Sequence, residues 1–282
     1  MRYVVYSKGL HATWLLNCEY AALFDCGEGC ATQLGYRVFV PDRLFISHSH
    51  IDHVSGLPAF LGLRNSTKGA NDKPLCIYYP AGNHRVEEWL QFSQKQAGRL
   101  KYPLSVQPLQ PREKVPLPTK TGSREQRYVE AFPVQHAADP CYGYRIVSMT
   151  RKLKPEHQGK GKEFYSSLSP AAKEALCEDA LTTRFFFSGD AMPLRSGPDS
   201  PLNGAEVAFL DSTFLAATDR EGNTHAAMEE VAQKCAIAGV RVAYAMHLSI
   251  RYSMDEIRKK IQELQSVFPL RLIPYDEITY LN

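Results

Sequence analysis

The sequence predicts an α/β sandwich. Two observations carry that reading: short β-branched and aromatic runs recur through both halves of the chain, and helix signals fall late in each half. Runs at 2–6, 12–16 and 20–24, separated by turn residues, read as an opening meander, and 43–47 is a further apolar strand ending in a polar cluster. Residues 52–64 then read as helical. A strand at 75–79, a Pro-Ala-Gly-Asn turn and a helix from His84 to Gly98 follow, with Asn83 as N-cap and Gly98 as stop. Strands are expected at 104–109, 127–132, 142–147, 184–188 and 206–210.

Two helices close the chain. Met228, Val231, Cys235 and Ala238 recur at helical spacing before Gly239, and Ser253-Met-Asp-Glu256 is a capping box ahead of Ile257, Ile261, Leu264 and Val267. Between them, 241–246 is a strand that ends at His247. No repeat of solenoid length occurs. Two segments read as excursions from the core: 110–127, rich in Pro, Lys, Thr and Gly, and 151–181, which opens with Arg151, Lys152, Lys154, Lys160 and Lys162.

Composition narrows the class. Apolar residues make up 44% and charged residues 22% of 282, as in ordinary globular proteins. A net charge of +3 neither demands nor excludes a polyanionic partner, so a local basic patch would have to carry any nucleic-acid contact. Seven scattered cysteines without a CxxC pair point to a reducing compartment, and Cys26 and Cys30 read as buried thiols. The N-terminal residues lack the apolar core of a secretory signal, and no uncharged apolar run is long enough for a membrane span. The expected location is the cytoplasm.

His48-Ser-His50-Ile-Asp52-His53 is the strongest chemical signal. A single histidine is most often an ordinary hydrogen-bonded residue, but three imidazoles and a carboxylate within six positions, directly after a strand, reverse that weighting. These donors suit zinc first, with manganese or iron as alternatives that accept the same atoms. Residues 48 and 50 point alike on extended chain, whereas Asp52 and His53, at a helix start, turn toward a second site; the expectation is two divalent ions. Three further ligand types each stand just past an apolar strand: His136, Asp190 and His247. His84 and His157 read as surface residues, Arg251 as either a phosphate contact or a surface arginine.

In these residues the chain resembles the metallo-β-lactamase superfamily, and within it the tRNase Z family of tRNA 3′-processing endoribonucleases. Leu23-Phe-Asp25-Cys-Gly-Glu28-Gly with Gln33, the His48 to His53 run with Gly56-Leu-Pro, Val134-Gln-His136 with Tyr142-Gly-Tyr144, and Ser188-Gly-Asp190 are similar to that family's motifs. So are Asp211-Ser-Thr213-Phe, Thr224-His225-Ala and His247-Leu-Ser-Ile-Arg251-Tyr252.

The resemblance implies a four-layered αββα sandwich over residues 1–282, as one domain with the basic excursion at 151–181. It implies that His48, His50 and His136 hold one ion, that Asp52, His53 and His247 hold the other, and that Asp190 bridges. A hydroxide bridging the metals would attack the phosphodiester, with Asp52 assisting its deprotonation. His225, oriented by Asp211, would serve the leaving oxygen, and Asp25 would steady a ligand imidazole. The implied partner is RNA such as a tRNA precursor, and the implied assembly a homodimer. The chain departs from the family pattern at several points: Ser7-Lys-Gly-Leu replaces Gly-Thr-Gly, Ile51 a glycine, Leu210 a histidine, and Ala191-Met192-Pro a Thr-Arg-Pro. It also lacks a long Gly-Pro-rich arm, for which 151–181 is a short basic substitute. The alternatives are a hydrolase of small phosphodiesters, esters or lactones, and a non-catalytic binding module.

Overall fold

The apolar runs become strands, and among the described residues the strands form two sheets of seven. The computed structural model describes residues 3–66, 73–119, 122–274 and 279–281; Arg2, Lys120 and Thr121, which fall within expected segments, lie outside them. The first sheet takes β1 (Tyr3–Lys8), β2 (Ala12–Asn17), β3 (Ala22–Phe24), β4 (Arg43–Phe45), β5 (Leu75–Pro80) and β6 (Leu104–Leu109). The second takes β7 (Lys114–Leu117), β8 (Gln126–Pro133), β9 (Tyr142–Leu153), β10 (Cys177–Phe187), β11 (Val207–Asp211), β12 (Val242–Met246) and β13 (Arg271–Pro274). Strand β14 (Thr279–Leu281) returns to the first sheet beside β1.

Strand alternation separates the layers. Ala22 and Phe24 face the other sheet while Leu23 faces out; Phe185 and Phe187 face inward while Phe186 faces out. The inner layer is aromatic, with Phe24, Phe45, Phe185, Phe187 and Phe209 in one buried cluster. Outside the first sheet lie α1 (Cys30–Leu34), α2 (Ile51–Val54), α3 (Leu57–Ser66) and α4 (His84–Ala97), which bury Leu34, Val54, Phe60, Val86 and Leu90 against Trp14, Leu23 and Ile77. The short helices α5 (Lys162–Ser166) and α6 (Pro170–Ala175) belong to the excursion. Outside the second sheet, α7 (Met228–Ala238) and α8 (Met254–Val267) bury Met228, Val231, Ile257 and Ile261 against β11 and β12. Helix on sheet on sheet on helix is the expected αββα order.

Caps fall where the sequence places them. Asn83 accepts from Val86 N at the start of α4, Ser253 and Glu256 cap α8 reciprocally, and Gly239 ends α7 at φ 67°. The expected helix over 52–64 is instead two, because Gly56 N donates to Cys26 O at 2.8 Å and diverts the chain.

The excursion at 151–181 differs more. Strands β9 and β10 run past the expected ends and stay paired from Tyr144 with Phe187 out to Leu153 with Cys177, making a projecting ribbon tipped by α5 and α6. Its outer strands carry no apolar alternation, since they leave the core; a cross-strand pair of Arg151 with Asp179, 3.0 Å apart, supports them instead. Likewise 114–117, expected as part of an excursion from the core, is the edge strand β7 paired to β8.

Direction matters for the site. Strands β3 to β6 are mutually parallel, as are β10 to β13, and β8 runs with β10 because both oppose β9. The loops leaving β3, β4, β8, β10 and β12 carry, in turn, Asp25, the His48 run, His136, Asp190 and His247, and β11 ends on Asp211.

Candidate metal centre

All seven residues expected as ligands converge. His48, His50, His136 and Asp190 form one group with ligand atoms within 4.8 Å of one another, and Asp52, His53, Asp190 and His247 form a second to the same limit. His136 Nε2 lies 3.0 Å from His50 Nδ1, His53 Nε2 lies 3.1 Å from Asp190 Oδ1, and His247 Nε2 lies 3.1 Å from Asp52 Oδ2. Among the described residues, Asp190 alone belongs to both groups. His50 is exposed at the mouth, and the rest are buried or nearly so.

Backbone conformation aims these side chains. Asp25 (φ 55°) and His247 (φ 57°) are left-handed, a region that costs most residues on the order of 1 kcal/mol or more but which Asp and His enter more readily than others. Gly189 (φ 58°) brings the two sheets together: a Cβ there would meet Ser47 Cβ at 2.6 Å. The Tyr142-Gly-Tyr144 motif acts at the same seam. Tyr142 N donates to Ser47 O at 3.0 Å and the Tyr144 hydroxyl to Ile46 O at 2.6 Å, so the second sheet holds the loop that carries His48.

Two carboxylates anchor the imidazoles, in matching ways. Asp25 accepts from His53 Nδ1 (2.7 Å), Ser47 N (2.7 Å) and the Ser47 hydroxyl (2.7 Å), and that hydroxyl in turn accepts from His48 Nδ1 (2.9 Å). Asp211 accepts from His225 Nδ1 (2.8 Å), Ala191 N (2.9 Å), Thr213 N (3.0 Å) and the Thr213 hydroxyl (2.7 Å), which accepts from His247 Nδ1 (2.9 Å). Each carboxylate therefore holds one imidazole directly and one through a hydroxyl. His136 Nδ1 donates to Thr224 O at 2.7 Å. Every bond of this kind occupies Nδ1 and turns Nε2 toward the centre. Ser47, Thr213 and the Thr224 carbonyl were not expected as site groups; Thr213 and Thr224 lie within motifs the sequence singles out, and Ser47 does not.

A third group, Asp190, Asp211, His225 and His247, also meets the distance limit for a metal. Asp211 already accepts four hydrogen bonds, so it has no oxygen to spare and acts as an anchor. The opposite holds at the centre, where His48 Nε2 is buried without a hydrogen-bond partner, and His53 Nε2 and Asp190 Oδ1, also buried, make no hydrogen bond and face only each other, 3.1 Å apart. Stranded buried polar atoms are costly, and divalent cations would satisfy all three.

The charges sort the same way. Burial holds His48, His50 and His136 below the usual imidazole range, with neighbouring imidazoles adding to it, so the first group offers neutral rings as a metal requires. In the second group burial acts downward on His53 and His247, but carboxylates outweigh it: Asp190 and Asp25 raise His53, and Asp190 and Asp52 raise His247. Burial pushes Asp190 upward, yet His247 and His53 bring it well below the usual carboxylate range. This carboxylate-rich half attracts positive charge.

Of the residues read as bystanders, His157 is half-buried with its Nδ1 shielded from solvent, and the others behave as read. Cys26 and Cys30 are fully buried, and His84 is exposed beside Glu87. Arg251 is tied to Glu221 at 3.0 Å and lies over Phe214, which favours the surface-arginine alternative.

The metallo-beta-lactamase superfamily model matches residues 7–129. A ribonuclease BN of Escherichia coli O17:K52:H18 is 30% identical over 293 residues, spanning 90% of this chain and 88% of that protein. A ribonuclease Z of Oceanobacillus iheyensis is 29% identical over 291 residues, spanning 92% and 88%. The human short-form tRNase Z superposes with a TM-score of 0.66 at 18% identity, covering 100% of this chain and 99% of that one, a likeness of fold. The fold, the motif-bearing loops and these alignments agree: the chain belongs to the ribonuclease Z/BN family of the metallo-beta-lactamase superfamily.

Proposed function

We propose that this chain is a two-metal phosphodiesterase that cleaves RNA, with precursor tRNA 3′ ends as its substrate. One observation carries the reading: a His/Asp metal centre stands beside a histidine whose Nδ1 is held by a saturated carboxylate, which leaves Nε2 free to act on a substrate. Alignment along nine-tenths of the chain with proteins named ribonuclease Z and ribonuclease BN supports RNA as the target.

His48, His50 and His136 would hold one ion, Asp52, His53 and His247 the other, and Asp190 both. When bound, such a pair acidifies water and neutralises charge on phosphate oxygens. The protein's own part is positional. Asp25 and Asp211 keep four imidazoles in one tautomer, directly or through Ser47 and Thr213. Asp52, drawn upward by burial but lowered further by His247 and His53, stays ionised and accepts a proton from the attacking water. His225 gives a proton to the leaving oxygen, its field set by Asp211.

Zinc is the ion this donor set favours, with manganese and iron accepting the same atoms. Among the described residues no helix is long and apolar enough to cross a membrane, and all seven cysteines are free, which supports a cytoplasmic setting. The reading takes residues 1–282 as one domain, acting as a homodimer, with the ribbon around 151–181 as its RNA-gripping arm. Lys152, Lys154, Lys160 and Lys162 line that arm, while Arg151 is held by Glu174 and Asp179. The arm's small size favours the second reading, a small phosphodiester as substrate.

The deciding assay pairs a precursor tRNA carrying a 3′ trailer with bis(p-nitrophenyl) phosphate. Cleavage next to the discriminator base is expected, abolished by chelator and restored by zinc. Indifference to the RNA alongside fast turnover of the diester would establish the second reading.

The hydroxyl relay gives a further expectation. Thr213→Val strands the Nδ1 donor of His247, at a cost of about 1–3 kcal/mol, while Asp211 Oδ1 keeps the bond from Thr213 N. Metal content should fall toward one ion per chain, and Thr213→Ser should restore it. Two ions in the valine variant, by elemental analysis, would show that the relay does not matter.

A further inference from the structure

A groove of about 570 Å³ opens where the loops bearing His136 and Asp190 meet. Met192 N donates to Gln135 O at 2.7 Å, so the groove wall is continuous with the metal centre through the residues beside His136 and Asp190. Its floor is apolar, formed by Phe132, Val134, Met192 and Leu194, and its rim carries Arg112 and Arg195. The Arg112 guanidinium lies over the Phe132 ring, 3.9 Å from its centre, within cation–π reach. Arg112 is itself left-handed (φ 68°), one of the few non-glycine residues in that region; its turn is closed by Glu113 N donating to Gln110 O at 3.0 Å and tied to β8 by Arg112 N donating to Ala131 O at 2.8 Å. Glu130 lies 3.3 Å from Arg112 and balances its charge, whereas Arg195 is exposed and makes no ion pair among the described residues.

We propose that this groove seats the RNA nucleotide adjoining the scissile phosphate, its base on the Arg112–Phe132 platform and its phosphate on Arg195. The inference rests on the RNA reading above. The volume suits a nucleotide, and an apolar floor with a few convergent polar groups is how small-molecule sites are built. Single-stranded RNA is recognised by stacking on aromatic rings and on guanidinium planes, with cations taking the phosphates. Asp199 and Ser196 on the same rim offer acceptors to a base edge or a 2′-hydroxyl.

The two arginines have different tasks, and that makes the assignment testable. Arg112 works as a plane and Arg195 as a point charge. With precursor tRNA as substrate, Arg112→Ala and Arg195→Ala should each raise KM about tenfold, the size of one stacking or phosphate contact, with kcat little changed. Arg195→Lys should restore KM, and Arg112→Lys should not. Arg195→Ala should also flatten the salt dependence of kcat/KM by about 0.7 in log–log slope, while Arg112→Ala leaves the slope alone. Arg145, 2.7 Å from Glu130, keeps that carboxylate paired when Arg112 is removed, so the platform can be deleted without stranding it. RNA cleavage with normal KM in both alanine variants would overturn this site alone, as would full rescue by Arg112→Lys. A wild-type protein that does not cut RNA would overturn the RNA reading and this site together.

Discussion

Asp190→Ala is expected to strip the centre of metal and to lower phosphodiester cleavage by about 1,000-fold or more. Every other ligand serves one group; Asp190 serves both, with Oδ2 3.7 Å from His48 Nε2, 3.7 Å from His136 Nε2 and 3.4 Å from His247 Nε2, and Oδ1 3.1 Å from His53 Nε2. Its loss also removes the charge that best opposes two cations at a buried point. Lewis-acid stabilisation by a bound ion contributes several kcal/mol, and about 1.4 kcal/mol is a factor of ten, which sets the magnitude. Asp190→Asn keeps the volume and the Gly189 seam but not the charge, so it should lose metal almost as completely. Elemental analysis of both variants is the check. Two ions retained in Asp190→Ala would remove this residue as the shared ligand and, with it, the division of the site into two groups.

Why this centre was legible while its supports were not has a physical answer. Ligands must be His or Asp, and strand ends must place them, so apolar runs ending in His48, His136, Asp190 and His247 carry their own signature. Anchors leave fainter traces. Ser47 works through a hydroxyl that any serine has, and Thr224 through a backbone carbonyl that any residue has. Nothing in their side-chain type marks them.

The fold divides along a similar line. Strands whose alternate faces enter two cores, such as β3 and β10 at its inner end, announce themselves through Phe24 or Phe185 to Phe187. The outer halves of β9 and β10 face solvent on both sides, so pairing is imposed by continuation of the ladder and by Arg151 against Asp179. Hydrophobic pattern is silent there. The break at Gly56 was hidden for another reason: it depends on contact with Cys26 and Gly27, about thirty residues away in sequence, where a Cβ on Gly56 would meet Gly27 O at 2.2 Å. Local periodicity cannot report a distant carbonyl. The departures from the family pattern are absorbed by the structure. Ile51 points to solvent, 66% exposed, and Ser7, near the end of β1 where the altered motif begins, still accepts from His247 N at 3.0 Å.

His225→Ala should lower turnover by about 100- to 10,000-fold, the usual range for a lost proton donor, while leaving both ions in place. The geometry separates the two effects. His225 Nδ1 is 2.8 Å from Asp211 Oδ2 but 3.9 Å from the nearest Asp190 oxygen, and its ring stacks on His247 at 5.0 Å without sharing a ligand atom. Burial lowers its pKa, yet the Asp211 hydrogen bond and the charges of Asp211 and Asp190 carry it up to about 9. The imidazolium is therefore the form present at neutral pH, and it is lost as pH rises through that value. Cations seated nearby move the loss downward, so kcat should fall on an alkaline limb at or below about pH 9, and His225→Ala should lack that limb. Asp211→Ala should behave differently, because Asp211 also holds Thr213, and through it His247, and the backbone after Asp190. There turnover and metal content should fall together. If His225→Ala lost metal in the same proportion, this residue would be a strut of the centre and the proton would have to come from elsewhere.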